Sequence, residues 1–370
     1  MQKKLIALAI AGLSGAAFAQ SNVTVYGVAD MYVANVTAAG HSSQTAINSG
    51  GLSGSRLGFK GTEALGNGTS ALFVLEYALA LDANSGVGGP DQSSNQARQQ
   101  IVGLTGSWGT AVAGFAQTAG YDFSCQTNPV AGSQLDASAK LGTSGLLACG
   151  AAGRAGNAVA YISPSFGGFT VALNHARITE TNKYVNGAND ATGNLLGFKY
   201  ANGPIGANLT WAKISNIRAA TGGGAGTVDE QTEWGLTGSY DFGVAKAFAS
   251  YQTLKQDIWN ERDSKWQLSA AVPLGGGNFI AQYAQNNVKH TAATDNSKAY
   301  TLAYAYGLSK RTTLYTGYTH VSNDSGATKG AFADVAAASA VSGATTYNAN
   351  VTPTAGGNAS VFAVGINHAF

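Results

Sequence analysis

Charged residues are scarce in this chain. Asp, Glu, Lys and Arg make up 11% of its 370 residues, against roughly 25% in an average soluble protein. A soluble protein with so little charge would need a large apolar core, yet the mean hydropathy is close to zero. This balance favours a chain in which apolar and polar residues alternate over one in which they segregate into core and surface.

Long apolar runs are also missing after the N-terminus. Lys3 and Lys4 precede an apolar run over residues 5–18, and the Ala-Phe-Ala triplet at 17–19 completes the pattern of a secretory signal peptide cleaved after Ala19. No later stretch approaches the roughly 18 consecutive apolar residues that a membrane helix needs. If the mature chain crosses a membrane, it must therefore do so as a closed β-barrel, because only helices and barrels satisfy their backbone groups in lipid.

Signals of catalysis and of nucleic-acid binding are absent as well. The five histidines lie on separate segments without metal-pair spacing, and neither a nucleophile elbow nor a phosphate-binding glycine loop occurs. Without Lys3 and Lys4 the mature chain carries 19 basic and 19 acidic residues, so it lacks the basic footprint of a nucleic-acid binder. We therefore expect no enzyme, no cofactor, no metal and no nucleic-acid partner.

Alternation with a period of two is the main pattern that is present. Val23 and Val25 share one face of residues 22–33, and polar side chains occupy the other face. In residues 53–63, Leu57 and Phe59 oppose Arg56 and Lys60. Both bases point into the lumen of a barrel if Leu57 and Phe59 face lipid.

Breaks between the alternating segments are short and long in turn, as in outer-membrane barrels. The short breaks are residues 64–68, 106–109, 164–168, 203–206, 241–243, 274–277 and 307–311; the longer ones are 37–52, 83–95, 117–153, 181–193, 217–230, 258–262, 290–296 and 324–358. Seven short turns interleaved with eight loops predict an all-β fold, a 16-stranded antiparallel transmembrane β-barrel over residues 20–370.

The third long break, residues 117–153, is the most unusual. A loop of this length inside a compact domain is usually functional or disordered, and this one carries the two cysteines of the chain, Cys125 and Cys149. In the oxidising compartment that a signal peptide implies, we expect them to pair, although two free thiols are the alternative. We predict that the bridged loop folds into the barrel lumen and narrows it.

Four segments resemble general porins of the neisserial and β-proteobacterial type: VTVYGVAD at 23–30, SRLGFKGTE at 55–63, RQQIVGL at 98–104 and YISPSFGGF at 161–169. The final alternating strand ends at Phe370, which looks like the assembly signal of outer-membrane barrels. The resemblance implies a homotrimer in the outer membrane of a Gram-negative bacterium, surrounded by lipid. It further implies a water-filled channel for passive diffusion of small hydrophilic solutes and ions.

The resemblance also implies the site. Similar porins place arginines on the wall facing the third loop, and the matching positions are Arg56, Arg98 and Arg154; parity alone makes Arg56 lumenal. We expect Asp122 and Asp136 of the loop to lie opposite these arginines. Clustered Arg and Lys favour anions, so the constriction predicts a modest anion preference.

Three observations qualify this expectation. Lys60 shares the lumenal face of Arg56, which adds positive charge. Phe115 stands where similar porins carry an arginine, which weakens the basic wall, and Ala64 replaces an acid in a turn.

Two alternative functions remain open. A substrate-specific channel would share the barrel but conduct one solute saturably. An outer-membrane enzyme such as a lipase would need a serine and histidine paired near the lipid face, which no motif indicates.

Overall fold

The computed structural model describes residues 22–82, 87, 97–142, 145–178, 191–218, 228–257, 261–290, 295–332 and 352–370. The predicted signal peptide, residues 1–19, lies outside this part of the chain, as do parts of most of the predicted long loops. No helix in the described ranges has the length and apolar character that a membrane span requires.

Antiparallel strands make up almost the whole described chain. They are β1 Asn22–Ala38, β2 Gln44–Ser49, β3 Arg56–Gly66, β4 Thr69–Ala78, β5 Ala97–Gly106, β6 Gly109–Gln117, β7 Arg154–Ile162, β8 Phe169–Arg177, β9 Thr192–Asn202, β10 Ile205–Arg218, β11 Val228–Asp241, β12 Lys246–Gln256, β13 Asp263–Leu274, β14 Gly277–Asn287, β15 Ser297–Gly307, β16 Thr312–Asn323 and β17 Ala359–Ala369. One α-helix, α1 Ala119–Ser124, and two 3-10 helices, Ser138–Leu141 and Ala151–Gly153, lie between β6 and β7.

The sheet closes on itself into a barrel of sixteen strand positions. From β3 onward each strand pairs with the next, and β17 pairs with β1 from Val28↔Ala369 to Ala38↔Ala359. On the other edge of β1, its first half pairs with β3 and its second half with β2. Strands β2 and β3 therefore fill one position, interrupted by residues 50–55, and the predicted 16-stranded antiparallel barrel is confirmed.

The first long loop was predicted with the wrong bounds. Residues 37–52 were expected to form a loop, but β1 continues to Ala38 and residues 44–49 form β2. Backbone pairing from Met31↔Ser49 to Val36↔Gln44 explains the difference. Polar side chains in this segment suggested a loop, but strand pairing is made by backbone groups and does not require apolar side chains.

Apolar side chains face outward and polar ones inward, the reverse of a soluble protein. In β11, Trp234 and Leu236 are exposed on the outer surface, while Glu233 and Thr237 of the same strand are buried. This alternation is what a barrel with a lipid face and a filled lumen requires. The predicted two-residue period is therefore the period of the barrel wall.

Candidate functional site

The long loop between β6 and β7 begins and ends at one polar junction. Thr118 caps α1: its hydroxyl oxygen accepts hydrogen bonds from the backbone N–H groups of Gly120 and Tyr121. The same hydroxyl donates to the carbonyl oxygen of Gly153 at 2.8 Å, and the Thr118 N–H donates to that carbonyl at 3.1 Å. The two ends of the loop are thus tied together where it leaves the wall.

Inward-facing polar side chains of β8 and β11–β14 bind the loop's backbone along its length. Their hydrogen bonds to loop N–H and carbonyl groups measure 2.8–3.1 Å and come from Asn174, Glu233, Gln252, Gln267, Gln282 and Asn286. Glu233 alone accepts two, from the N–H groups of Leu146 and Leu147. The loop therefore lies against one side of the lumen, which confirms that it folds inward.

Apolar side chains of the loop fill the space next to this wall. Phe123 and Leu147 pack against Gly235 of β11, and Leu135 packs against Gly317 of β16. A β-carbon at either glycine would overlap these side chains, so the glycines mark a close approach of loop to wall. Phe123, Leu135 and Leu147 are almost completely buried, and their burial adds hydrophobic stabilisation to the hydrogen bonds.

The predicted disulfide is confirmed. Cys125, directly after α1, is bonded to Cys149, and their α-carbons lie 4.8 Å apart. Cys149 and Gly150 border the open part of the lumen, which we call the passage. The bridge therefore fixes the edge of the loop that faces this passage.

The passage lies between this edge and strands β3–β7. It is a cavity of about 490 Å³ lined by Arg56, Arg98 and Arg154. Arg56 and Arg154 begin β3 and β7, and Arg98 is the second residue of β5. These three strands run in the same direction, because they alternate with antiparallel neighbours. The structure thus brings the three predicted arginines together at one level of the barrel.

Glu76 of β4 is a site residue that sequence reasoning missed. The Nε of Arg98 donates to its Oε1 at 2.7 Å, and the Nε of Arg56 lies 3.7 Å from its Oε2. The Tyr26 hydroxyl also donates to Oε2, at 3.0 Å. The available signal was an acid near the end of β4, after the apolar residues 71–75, with an arginine at the start of the neighbouring strand β3.

Arg154 is held differently. Its guanidinium carbon lies 4.5 Å from the centre of the Tyr121 ring, a cation–π contact. Its Nε is buried and has no hydrogen-bond partner among the described residues. Tyr121, the third residue of α1, was also missed, and it brings the loop helix into direct contact with the arginine wall.

Residues 50–55, between β2 and β3, form an arch that positions Arg56. Asp30 of β1 is fully buried, and its carboxylate accepts hydrogen bonds from the backbone N–H groups of Gly51, Leu52 and Ser53 at 2.9–3.0 Å. Hydroxyl and amide groups of Tyr315 and Asn367 donate to the same carboxylate. Near the end of the arch, the carbonyl oxygen of Gly54 accepts a hydrogen bond from Arg56 Nη1 at 3.1 Å.

The two loop acids do not line the cavity that holds the three arginines, so their placement opposite the arginines stays a prediction. Asp136 is buried, and its carboxylate accepts from the N–H groups of Gly132 and Ser138 and from the amide of Gln282 in β14. It therefore fastens the loop to the opposite wall. Asp122 lies on α1 and does not line the cavity. Partial burial raises the pKa of its carboxyl, and the positive charge of Lys199 in β9 opposes that rise.

Three other predicted positions are placed clearly. Lys60 is exposed, and its Nζ lies 5.1 Å from the Tyr26 ring centre; it does not line the cavity. Phe115 does line it, beside the arginines. Phe370 exchanges two backbone hydrogen bonds of 3.1 Å with Gly27 of β1; its role in assembly stays a prediction.

A closed antiparallel barrel with an apolar outer face and a loop folded through its lumen defines an outer-membrane channel for passive diffusion. The chain belongs to the Gram-negative porin family, whose sequence profile matches residues 5–327. Outer membrane porin protein 32 of Delftia acidovorans is 35% identical over 353 residues, covering 89% of this chain and 92% of that protein. Major outer membrane protein P.IB of Neisseria lactamica is 28% identical over 337 residues, covering 84% and 91%.

Solved structures agree with this assignment. The anion-selective porin from Comamonas acidovorans superposes with a TM-score of 0.73 at 28% identity, covering 95% of this chain and all of that one. OmpT of Vibrio cholerae in its trimer form gives 0.65 at 15% identity, covering 95% and 99%, which shows the shared fold alone.

Proposed function

We propose that this porin works as a passive, non-catalytic channel with a modest anion preference, and that Arg56, Arg98 and Arg154 are its filter. The observation that carries the proposal is that these three arginines line one cavity, while the carboxylate of Glu76 lies close to two of them, Arg56 and Arg98. Two positive charges are left in excess in this group of four side chains. A confined site with low-dielectric walls strengthens such a local charge even when the net charge of the protein is zero.

Two features keep the preference modest. Glu76 offsets one of the three positive charges, and Phe115 contributes an apolar surface at a position where similar porins carry an arginine. The similar structure described as an anion-selective porin supports the sign of the preference. The solutes are therefore small hydrophilic molecules and ions, with anions favoured.

A planar-bilayer recording in a salt gradient tests the filter. Replacing Arg56, Arg98 and Arg154 together by glutamine should move the zero-current potential toward cation selectivity. Arg311→Gln, in an exposed turn, removes one arginine charge away from the cavity and should leave the potential unchanged. If the triple variant also leaves it unchanged, these arginines are not the filter.

We further propose that three copies form a homotrimer in the membrane. The family resemblance and the solved trimer form of Vibrio cholerae OmpT support it. Light scattering of the folded protein in detergent, corrected for bound detergent, should give three chains per particle, and the trimer band on a gel should disappear on heating. A single chain per particle before heating would contradict the assembly.

A further inference from the structure

A second cavity, of about 190 Å³, lies between the constriction loop and strands β12 and β13. Its lining includes Ser124, Asp136 and Lys140 of the loop and Lys265 of β13. We call it the lysine chamber. None of the three filter arginines lines it, and it is separated from their passage by the rim at the disulfide.

Two lysines line this small volume. Lys140 is 6% exposed, and burial lowers its pKa to about 7 although Asp136 acts in the opposite direction. The Nζ of Lys265 donates to the carbonyl oxygens of Ser138 at 3.3 Å and Gly142 at 3.1 Å. Because an ammonium has three donors, Lys265 keeps at least one for another partner.

The nearby acids are already engaged elsewhere. Asp136 accepts hydrogen bonds from Gly132, Ser138 and Gln282, and within the described residues it forms no ion pair within 4.0 Å with either lysine. Glu233 accepts from the loop N–H groups described above. The two carboxylates therefore balance the lysines only at a distance, and among the described residues no carboxylate forms an ion pair with either lysine.

A hydroxyl with no partner lies in the same lining. The Oγ of Ser124 is buried and makes no hydrogen bond with the described part of the chain. An unsatisfied buried polar group of this kind costs about 1–3 kcal/mol and calls for an explanation such as a bound ion or water. Unlike the lysines, Ser124 comes from the end of α1, so the free donors converge from different parts of the lining.

We propose that the lysine chamber binds one small inorganic oxyanion of the phosphate type, held by Lys140, Lys265 and Ser124. An oxyanion has several strong acceptor atoms, so it can bond to donors on two sides of the chamber at once. Water could satisfy the hydroxyl but would supply no negative charge to Lys265 or to protonated Lys140. The bound anion joins the loop to β13 and so stabilises the loop that forms the constriction. This site is independent of the arginine filter.

Binding is tested with inorganic phosphate on the folded, detergent-solubilised protein. Calorimetric titration in a phosphate-free buffer of low ionic strength should detect a site that the triple arginine-to-glutamine variant retains. Lys140→Gln combined with Lys265→Gln should weaken this site at least tenfold, and Ser124→Ala several-fold. Lys310→Gln, in an exposed turn, is the matched control and should bind as the original protein does. Unchanged affinity in the double lysine variant, or loss of all binding in the arginine variant, would overturn the proposal.

Location is tested independently, on the unaltered protein, so that a folding defect of a variant does not decide the outcome. Crystals soaked in selenate should show an anomalous peak within hydrogen-bonding distance of the Lys140 and Lys265 ammonium groups. A peak at the arginines alone, or no peak in the chamber, would overturn the site. Because the arginine filter predicts its own effect on zero-current potential, failure of either hypothesis is recognisable separately.

Discussion

The Nε of Arg98 lies 2.7 Å from the Oε1 of Glu76, the shortest ion pair on the arginine wall. The acid that faces the arginines thus comes from the neighbouring strand β4, whereas the loop carboxylate Asp136 is used to fasten the loop. The positive charge of the arginine wall is therefore moderated within the wall itself. The charged residues of this wall are distinct from Asp136, which fastens the loop.

Replacing Glu76 by glutamine should increase anion preference. Glutamine keeps the size and an acceptor oxygen but removes the negative charge. Two unit charges 4 Å apart interact by about 1 kcal/mol in water, so the ratio of anion to cation permeability should rise about two- to tenfold. The zero-current potential in a salt gradient measures this ratio. Glu63→Gln, exposed near the end of β3, is the control, and a shift toward cations in the Glu76 variant would contradict the interpretation.

Sequence patterns predicted the wall better than the loop. Alternation around Leu57 and Phe59 was enough to turn Arg56 inward, because a strand has only two faces. Arg98 and Arg154 needed the family resemblance, since the apolar pattern around them is less regular. The three arginines lie at the same height in the barrel because β3, β5 and β7 run in the same direction. The predicted alternation of short turns and long loops already implied that direction.

Residues whose partners depend on tertiary structure could not be predicted in this way. Asp136 looks like a charged loop residue in the sequence, but its carboxylate accepts a hydrogen bond from the amide of Gln282 in β14, 146 residues away. Glu76 acquires its role from the pairing of β4 with β3 and β5, which places it between two arginines. Hydrogen-bond partners across strands are set by register, which one sequence does not reveal directly.

Asp30→Asn should destabilise the barrel. The Asp30 carboxylate accepts from three backbone N–H groups of the arch and from Tyr315 and Asn367, and an asparagine amide would present a second donor to some of them. Loss of one hydrogen bond to a buried charge costs about 1.5–3 kcal/mol. The temperature at which the folded gel band disappears should fall, whereas Asp324→Asn, at an exposed residue, should leave it unchanged. An unaltered temperature in the Asp30 variant would show that the carboxylate does not hold the arch.

The constriction loop should become more stable as pH rises from about 7 to about 10. Burial lowers the pKa of Lys140 to about 7 from its ordinary 10.5, so between these values the unfolded loop binds more protons than the folded one. Stability increases with pH wherever that holds, and below pH 7 this lysine contributes no slope. The charged groups near it are Asp136 on its own loop, Lys265 on β13, and Lys329, whose Nζ approaches Gly142.

Hydrogen exchange of the loop amides, corrected for the intrinsic pH dependence of exchange, measures this effect. Protection should rise over the window in the original protein and rise less in Lys140→Met, where Lys265 is the remaining amine of the lysine chamber. Phosphate should reduce the slope, because an anion in the lysine chamber favours the protonated ammonium. An equal slope in Lys140→Met would assign the pH dependence to another group.

Removing the disulfide should loosen the loop without opening the channel fully. Closing a separation of 24 residues stabilises by about 3 kcal/mol in the loop-entropy treatment, but the hydrogen bonds to Glu233 and Gln252 remain. The combined Cys125→Ser and Cys149→Ser variant should be cleaved faster by protease within residues 119–153. Its open-channel current noise should increase, while its mean conductance should change by a smaller proportion. Equal cleavage rates in the variant and the original protein would show that the disulfide does not restrain the loop. Free thiols in the unreduced protein would show that the disulfide does not form.

Phe115→Arg should strengthen anion selectivity by completing the basic wall. The Phe115 ring lines the same cavity as Arg56, Arg98 and Arg154, so an arginine at this position adds a fourth guanidinium to the passage. At about 1 kcal/mol per charge pair at 4 Å in water, the permeability ratio should shift about two- to tenfold toward anions. The longer side chain should also lower single-channel conductance. The added selectivity should decline as salt is raised toward 1 M, where the screening length is about 3 Å.

Phe115→Leu separates charge from size, because it keeps an apolar side chain in the cavity while removing the ring. It should widen the passage slightly and leave the zero-current potential where it was. If leucine and arginine shift the potential equally, the size of the opening governs selectivity at this position. If arginine alone moves it toward anions, and the shift fades with salt, the apolar surface of Phe115 is what keeps the original channel only modestly selective.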